Sequence, residues 1–296
     1  MSNLKRVTRR VGLRVAVAGA LTVPLSSMAS VSTATAKGHL EVMTFNLRFA
    51  STAEPNSWAD RRPVMRTLLR RAAPAVIGTQ EGRYQQLRDI QADLAPHYEW
   101  IGTGRKRGSH DESMAVFYDS RRLTPVEYDH FWLSDTPELI GSNTWGGRFS
   151  RMVTWVRFRD LYDGGREFYA LNTHLDHASQ YARERSASLI AERIAGLDRS
   201  LPVVVTGDFN VAAHANPVYD TLLDSGLVDT WDAAAQHGPR YGTFHGYEQL
   251  TPGGDRIDWI LVTPGVTVHR AAVDTFSARG QFPSDHLPVR VSLGLA

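Results

Sequence analysis

The stretch Pro202-Val203-Val204-Val205-Thr206-Gly207-Asp208-Phe209-Asn210 decides the fold, because it joins a buried strand to a polar end. Its run of valines is typical of a strand that is covered on both faces. In extended backbone, Asp208 and Asn210 flank an aromatic residue and therefore point to the same side. The stretch predicts two polar groups held together at the end of a buried strand.

Strand patterns and helical patterns alternate on both sides of this stretch. Residues with strand character occupy 40–46, 75–78, 113–118, 152–158, 167–172, 256–262 and 287–293. Apolar residues recur at helical spacing over 60–71 and 179–197. Because strand patterns outnumber helical ones and hairpins mix with β–α units, we predict one mixed α/β domain with a core of stacked sheets over residues 37–296.

The first 36 residues have a different composition from the rest of the chain. They hold five cations and no acid, then an apolar run over 15–25, then the small residues Ala34-Thr35-Ala36. This order is typical of a cleaved signal peptide, and the apolar run is too short to cross a bilayer of about 30 Å as a helix. The paired arginines within 8–13 favour a twin-arginine signal over an ordinary Sec signal. We expect a secreted, soluble protein that begins near Lys37.

Composition and charge exclude several classes of protein. With 42% hydrophobic residues and no cysteine, the chain is neither a disordered tail nor a disulfide-stapled miniprotein. The formal charge is +2, but five of the 33 Lys and Arg residues lie in residues 1–36, which leaves 28 against 31 Asp and Glu, or −3, on residues 37–296. A protein with this balance lacks the broad basic face that proteins use to grip phosphate backbones.

Polar clusters stand at the ends of several predicted strands. They are Asn46, Gln80-Glu81, Asn172-Thr173-His174, Gly207-Asp208-Phe209-Asn210, Asp258 and Ser284-Asp285-His286. Taken singly, each is more often structural than catalytic, since Asn bonds its own backbone in turns and Glu can cap a helix. Asp258 differs, because a carboxylate inside an apolar strand is costly unless a histidine or an arginine pairs with it.

In their order along residues 39–293, these clusters resemble the endonuclease/exonuclease/phosphatase superfamily. That superfamily includes DNase-type nucleases, abasic-site endonucleases, neutral sphingomyelinases and inositol-phosphate phosphatases. The matching motifs are Thr44-Phe45-Asn46, Gln80-Glu81, Asn172-Thr173-His174-Leu175, Gly207-Asp208-Phe209-Asn210, Ile257-Asp258-Trp259 and Ser284-Asp285-His286. The resemblance implies a four-layered α/β sandwich in which two stacked mixed β-sheets are flanked by helices.

The resemblance also implies a metal-dependent hydrolase that acts on phosphoester bonds. Glu81 and Asn46 offer hard oxygen ligands of the kind that Mg²⁺ or Mn²⁺ accepts, and Asp285 is a candidate second metal contact. The absence of cysteine and of closely spaced histidines argues against a dedicated zinc site. We therefore expect Mg²⁺, or Mn²⁺, as the cofactor.

Further roles follow from the same resemblance. His286 is expected to activate the attacking water while Asp258 fixes its tautomer, in the manner of a base and its orienting carboxylate. His174 and Asn210 are expected to hold phosphate oxygens. Asp208 is expected to orient water or to stabilise the transition state.

The resemblance also gives the first histidine a glutamate partner. In DNase-like members a glutamate pairs with that histidine, and Glu112 stands at the matching position for His174. A solvated loop over Asp111-Glu112 is the alternative interpretation of this pair.

The substrate is less well determined than the reaction. The first hypothesis is a small or lipid-linked phosphoester, the second is DNA or RNA, and the third is an inactive binding module, which the intact motifs disfavour. Arg105, within a basic run over 104–108, and the pair Arg148 and Arg151 are candidate substrate contacts. Beyond the phosphoester itself we expect no obligate protein partner, and we expect a monomer.

Overall fold

The computed structural model describes residues 38–295, so the signal peptide expected over residues 1–36 lies outside the described residues. In chain order the elements are β1 (Leu40–Asn46), α1 (Trp58–Ala72), β2 (Val76–Arg83), α2 (Tyr84–Leu94), β3 (Tyr98–Ile101), β4 (Glu112–Asp119), β5 (Leu123–Trp132), β6 (Met152–Asp160), β7 (Arg166–His174), α3 (Gln180–Ala195), β8 (Val203–Asp208), α4 (Pro217–Asp224), β9 (Val228–Asp229), α5 (Thr230–Ala233), β10 (Gln236–His237), β11 (Asp258–Val262), β12 (Thr267–Val273) and β13 (Val289–Gly294). Among these residues, no helix is long and apolar enough to span a membrane.

Two mixed β-sheets organise the residues between 38 and 295. One sheet has seven strands in the order β10-β12-β13-β1-β2-β4-β3, and the other has six in the order β5-β6-β7-β8-β11-β9. β1 runs parallel to β2 and antiparallel to β13, while β8 runs parallel to β7 and antiparallel to β11. The central strands of both sheets are nearly covered, which fits their valine-rich sequences.

The buried side chains divide into layers that follow the alternation of each strand. Val42 of β1 belongs to the cluster between the two sheets, whereas Met43 packs on the other side against Leu68 of α1 and Ile90 of α2. A third cluster joins β7, β8 and β11 to α3 and α4. The layers are therefore helices, sheet, sheet and helices, which confirms the predicted four-layered α/β sandwich.

Some elements differ from the sequence prediction. The sequence did not predict α2, β5 and β12. α2 begins directly after β2, and β5 is an edge strand with mostly exposed side chains, so neither has a clear pattern of its own. β2 is longer than the predicted 75–78 and reaches Arg83 through a register shift between Thr79 and Gly82. This bulge contains Glu81, whose φ of 61° is in the left-handed region.

The strand register brings the polar clusters to one edge of the two sheets. His174 at the end of β7 pairs in register with Asp208 at the end of the parallel strand β8. Asp208 in turn pairs with Asp258 at the start of the antiparallel strand β11. Asn46 ends β1 and donates to Asp208 at the end of β8, so strand ends from both sheets meet at this edge.

Candidate active site

Asp208 stands at the centre of the polar cluster. Its Oδ2 accepts a hydrogen bond of 2.9 Å from Asn46 Nδ2. The same oxygen lies 3.5 Å from His174 Nε2 and 3.9 Å from His286 Nε2. Asn46 Nδ2 also donates to Glu81 Oε1 at 3.0 Å. The amide of Asn46 and the imidazoles of His174 and His286 therefore surround Asp208. The same amide links Asp208 to Glu81, which comes from the other sheet.

His286 and Asp258 form a buried pair. His286 Nδ1 lies 3.0 Å from Asp258 Oδ2, and the two residues are 5% and 1% exposed. Burial alone would lower the pKa of His286, but the charge and hydrogen bond of Asp258, together with Asp208, raise it to about 10. Because Nδ1 is engaged by Asp258, the opposite nitrogen, Nε2, is the one that faces Asp208 and the site.

Asp208 and His174, two more ionisable groups of the cluster, are shifted toward their neutral forms. Burial, and next the charge of Asp258, raise the pKa of Asp208 to about 7. Burial, followed by the charges of Arg151 and Arg105, lowers the pKa of His174 well below its usual range. His174 is therefore a neutral hydrogen-bonding group at neutral pH.

The donor set fits a divalent cation held by oxygen ligands. Glu81 Oε1 and Asp208 Oδ2 share one amide donor, and the buried Asp258 Oδ1 has no hydrogen-bond partner among residues 38–295. Asp208, Asp258 and His286 also form a group whose ligand atoms lie within 4.8 Å of one another. The cluster thus concentrates more carboxylate charge than its own side chains neutralise, which a hard cation would offset.

Asn46, expected as a metal ligand, is hydrogen-bonded through both ends of its amide. Its Oδ1 accepts from the backbone N–H of Arg48 at 2.9 Å, so its nitrogen and not its oxygen faces Glu81 and Asp208. Asn46 therefore aligns two carboxylates instead of presenting a ligand oxygen. Glu81 is further fixed by the backbone N–H of Phe49, which donates to Oε2 at 3.1 Å.

Asp285, expected as a second metal contact, is engaged elsewhere. Its Oδ2 lies 3.6 Å from Arg48 Nη1, and its Oδ1 accepts from Ser284 Oγ at 3.3 Å. A carboxylate that faces a half-exposed arginine is charge-compensated at the rim of the site. Asp285 thus contacts Arg48 and Ser284, next in sequence to His286.

Asn210, expected to hold phosphate oxygens, is itself fixed by two hydrogen bonds beside Asp208. Its backbone N–H donates to Asp208 Oδ1 at 2.9 Å, and its Nδ2 donates to the carbonyl of Leu175 at 2.9 Å. Its φ of 54° is in the left-handed region, which Asn tolerates better than most residues. Asn210 therefore ties the end of β8 to the turn after β7.

Glu112 does not pair with His174 in this structure. Its Oε2 lies 3.1 Å from Arg105 Nη1, while His174 Nδ1 has no partner among the described residues. Arg105 takes the carboxylate because the loop before β4 folds back and buries the guanidinium. Burial also raises the pKa of Glu112.

The basic run over 104–108 is not a free basic strip. Arg105 is only 2% exposed and also bonds Asp111 at 3.0 Å, and Lys106 Nζ lies 3.1 Å from the same carboxylate. Arg105, expected as a substrate contact, is therefore buried and paired with Asp111 and Glu112, two acids that follow it in sequence. Arg148 and Arg151 lie near the ring of Phe149, at 5.9 and 5.8 Å from its centroid.

A buried network of side-chain amides joins the two sheets next to the site. Gln80 Nε2 donates to Asn172 Oδ1 at 2.7 Å, and Asn172 Nδ2 donates to the carbonyl of Thr79 at 2.8 Å. A Cβ on Gly78 would lie 2.0 Å from Thr206 Oγ1, so the sheets make their close approach at a residue without a side chain. Gln80 and Asn172 belong to the motifs because they join the sheets.

Phe244 is a neighbour of the site that sequence reasoning missed. Its ring is 55% exposed and its centroid lies 5.0 Å from that of His286. The backbone of Phe244 pairs with that of His286, which places the loop over 238–255 beside the catalytic strand ends. An aromatic in a Gly-rich loop carries no local signal, since only this long-range pairing brings it here.

Comparison with known proteins agrees with this geometry. The endonuclease/exonuclease/phosphatase family model matches residues 43–286. A family protein of known structure from Bacteroides thetaiotaomicron is 36% identical, with a TM-score of 0.80 over 86% of this chain and 97% of that one. A mannosyl-6-phosphatase from the same organism is 35% identical, with a TM-score of 0.79 over 86% of this chain and 99% of that one.

A curated relative matches over a shorter length. Protein angel from Drosophila melanogaster is 23% identical over 184 residues, which is 59% of this chain and 49% of that protein. The chain thus aligns with about half the length of this relative. On the family match and the two bacterial structures, the chain belongs to the endonuclease/exonuclease/phosphatase family, whose members are hydrolases of phosphoester bonds.

Proposed function

We propose that the chain is a secreted phosphoesterase that acts on a small phosphorylated substrate. The proposed cofactor is Mg²⁺, which Mn²⁺ can replace. The observation that carries this proposal is the buried His286–Asp258 pair, whose free imidazole nitrogen faces the carboxylate of Asp208. The similarity to a mannosyl-6-phosphatase, at 35% identity, supports a phosphorylated sugar as the kind of substrate.

The proposed reaction begins with the removal of a proton from water. In its neutral form His286 accepts a water proton at Nε2 as the water oxygen bonds to phosphorus; the ester P–O bond breaks, and the alcohol oxygen leaves with a proton taken from solvent. Asp258 stabilises the imidazolium that forms and keeps Nδ1 protonated. Asp208 lies on the Nε2 side, where it can orient the attacking water.

The metal would be held by Glu81 and Asp208, with Asn46 fixing the two carboxylates. When bound, a divalent cation neutralises non-bridging phosphate oxygens and favours the uncharged form of a nearby histidine. The neutral ring of His174 and the amide of Asn210 are the proposed contacts of the phosphate oxygens. Both border Asp208, so the phosphate would lie against the same carboxylate that orients water.

Export is a separate part of the proposal. It is supported by the basic start of the chain, the apolar run over 15–25 and the small residues Ala34-Thr35-Ala36. N-terminal sequencing of the extracellular protein tests the cleavage, with Lys37 expected as the first residue. Export that survives replacement of both Arg9 and Arg10 by Lys would favour the Sec route.

A nuclease is the second candidate function, and one observation favours it. Arg48 and Arg83 both lie against the ring of Phe49, at 4.4 and 4.9 Å from its centroid, next to Glu81. Two cations beside an aromatic ring suit a nucleic-acid strand. Against it, Arg105 within the basic run is buried and paired with Asp111 and Glu112, so this residue adds nothing to a continuous basic groove.

A substrate panel tests the choice between the two functions. The purified protein is assayed on mannose 6-phosphate, p-nitrophenyl phosphate, bis-p-nitrophenyl phosphate, sphingomyelin, RNA and plasmid DNA, with EDTA and then with added Mg²⁺. The proposal expects small phosphoesters to be turned over at least as well as DNA, with a shallow dependence on salt. Efficient DNA nicking that collapses with added salt, beside poor turnover of small esters, would favour the nuclease.

A further inference from the structure

Arg151 is a buried cation without a hydrogen-bonded anion. It is 5% exposed, and its only hydrogen bond to a side chain among the described residues joins Nη2 to His177 Nδ1 at 3.2 Å. Its Nε and Nη1 have no hydrogen-bond partner among residues 38–295. A buried charge is costly unless it is paired, so this guanidinium needs an explanation.

The nearest carboxylate satisfies Arg151 only in part. Asp176 Oδ2 lies 3.6 Å from Arg151 Nε, which is too long for a good hydrogen bond. Asp176 already accepts the backbone N–H groups of Phe149, Ala178 and Ser179 at 3.2, 3.0 and 2.9 Å. The carboxylate of Asp176 is therefore largely engaged by backbone N–H groups of the loop. It compensates the charge of Arg151 only in part.

A second buried arginine stands beside Arg151. Arg105 shares the ring of Phe149 with it, at 4.6 Å against 5.8 Å from the centroid. Arg105 Nε also has no hydrogen-bond partner among the described residues, although Asp111 and Glu112 compensate the charge of this guanidinium. Of the two arginines, Arg151 is therefore the one whose positive charge is less well compensated.

Arg151 lies on the side of the site that His174 occupies. It directly precedes β6, in which Val153 pairs with Thr173, the neighbour of His174, and its guanidinium lies 3.2 Å from His177, three residues after His174. In agreement with this position, the charges of Arg151 and Arg105 add to burial in lowering the pKa of His174. Since burial removes screening water, a charge at this position acts strongly on an anion held by His174.

We infer that Arg151 is the specificity-determining residue for the second negative charge of a phosphomonoester. The inference rests on the proposed function, because it assigns a substrate class to the same site. A phosphomonoester carries close to two negative charges at neutral pH. A phosphodiester carries one, because a second oxygen is bonded to carbon. A buried cation behind His174 stabilises the dianion more, so the protein hydrolyses monoesters in preference to diesters.

The test measures the ratio of kcat/KM for p-nitrophenyl phosphate to that for bis-p-nitrophenyl phosphate. Arg151→Met removes the charge and should lower the monoester value by about 10- to 100-fold, with a much smaller loss on the diester. Arg151→Lys keeps the charge and should retain most of the preference. The matched control is Arg185→Met, since Arg185 stacks on Trp145 of the same loop and pairs with Asp135 instead of facing His174.

Two further readouts keep the inference testable if Arg151→Met fails to fold by circular dichroism. Arg151→Lys is then compared with wild type for competitive inhibition by inorganic phosphate, and for the ester ratio. The inference expects phosphate to inhibit Arg151→Lys within a few-fold of wild type, with the ester ratio retained; inhibition weakened by more than about tenfold would overturn it.

The outcomes separate this inference from the proposed function. Equal losses on both esters in Arg151→Met, or a wild-type preference for the diester, would overturn the role of Arg151 while leaving a phosphoesterase. Loss of the monoester preference in Arg151→Lys would also overturn it, because a merely charged side chain would then not suffice. No metal-dependent hydrolysis of either ester by the wild type would remove the proposed function itself.

Discussion

Asp258 Oδ2 lies 3.0 Å from His286 Nδ1, although the two residues are separated by 28 positions. Asp258 opens β11 in the six-stranded sheet, and His286 lies just before β13 in the seven-stranded one. The pair therefore forms only when the sheets are stacked, which couples the catalytic geometry to the packing between them.

This relationship gives the first prediction. His286→Ala removes the proposed base and should lower kcat by about 10²- to 10⁴-fold. Asp258→Asn should lose most of the same factor, because it leaves the imidazole without the carboxylate that orients it. The double mutant should be no worse than His286→Ala alone. A much larger loss in the double mutant would mean that the two residues act independently.

The second prediction concerns Glu81 and metal binding. Glu81→Gln replaces a charged ligand by a neutral one, so Mg²⁺ measured by titration calorimetry should bind the variant at least about tenfold more weakly. The unfolding midpoint in EDTA should change little, since Glu81 contributes little to the core. Glu192→Gln on the exposed face of α3 is the control. Unchanged Mg²⁺ affinity in Glu81→Gln would place the metal elsewhere.

The third prediction tests the close approach of the sheets at Gly78. A Cβ there would lie 2.0 Å from Thr206 Oγ1 and 2.7 Å from Asn172 Oδ1, both in the buried network. Gly78→Ala should lower the free energy of unfolding by about 1–3 kcal/mol, because the core must be overpacked. Urea unfolding measures the change.

Gly196→Ala is the matched control for Gly78→Ala. Gly196 lies at the end of α3 with a φ of −85°, and its nearest contact for a Cβ is 3.5 Å. This substitution should change the stability far less. An unchanged free energy of unfolding in Gly78→Ala would show that the sheets can move apart at this position without loss of stability.

The fourth prediction concerns acid stability near Asp111. Burial tends to raise the pKa of this carboxyl, but the hydrogen bonds from Arg105 and Lys106 outweigh it and lower the pKa to about 2. Because the folded pKa is lower than the ordinary value of 3.8, the contact stabilises the fold above about pH 4, and the stabilisation disappears as the pH falls toward 2.

Asp111→Asn should therefore be less stable than wild type at pH 6, and the difference should shrink as the pH falls toward 2. Chemical unfolding at pH 6, 4 and 3 gives the difference. Asp163→Asn in the turn after β6 is the control, because that acid is paired with a partly exposed arginine, Arg166. A difference that stays constant across this range would mean that Asp111 is not held in its charged form.

The sequence was informative where the chemistry depends on a strand and its end. β1 and β8 agree with the predicted strands within a residue, and Asn46, His174 and Asp208 lie at strand ends as expected. The polar ends converge because parallel and antiparallel strands meet in register at one edge. The alternation and the motif order are local properties, so a single sequence can indicate them.

The sequence was least informative where loops decide the contacts. The partner of Glu112 is Arg105, because the loop over 102–111 folds back on itself. The amide of Asn46 is turned by a backbone N–H two residues later, and Glu81 sits on a bulge. Such contacts depend on side-chain orientation and on long-range packing, which residue type and spacing do not specify.

The most direct test of the central claim is the release of inorganic phosphate from mannose 6-phosphate by the wild type and by His286→Ala. Each protein is assayed in EDTA and then with excess Mg²⁺. We predict no release in EDTA, release by the wild type after Mg²⁺ is added, and a loss of at least about 100-fold in His286→Ala. Full activity in EDTA, or equal activity of the two proteins with Mg²⁺, would contradict the account.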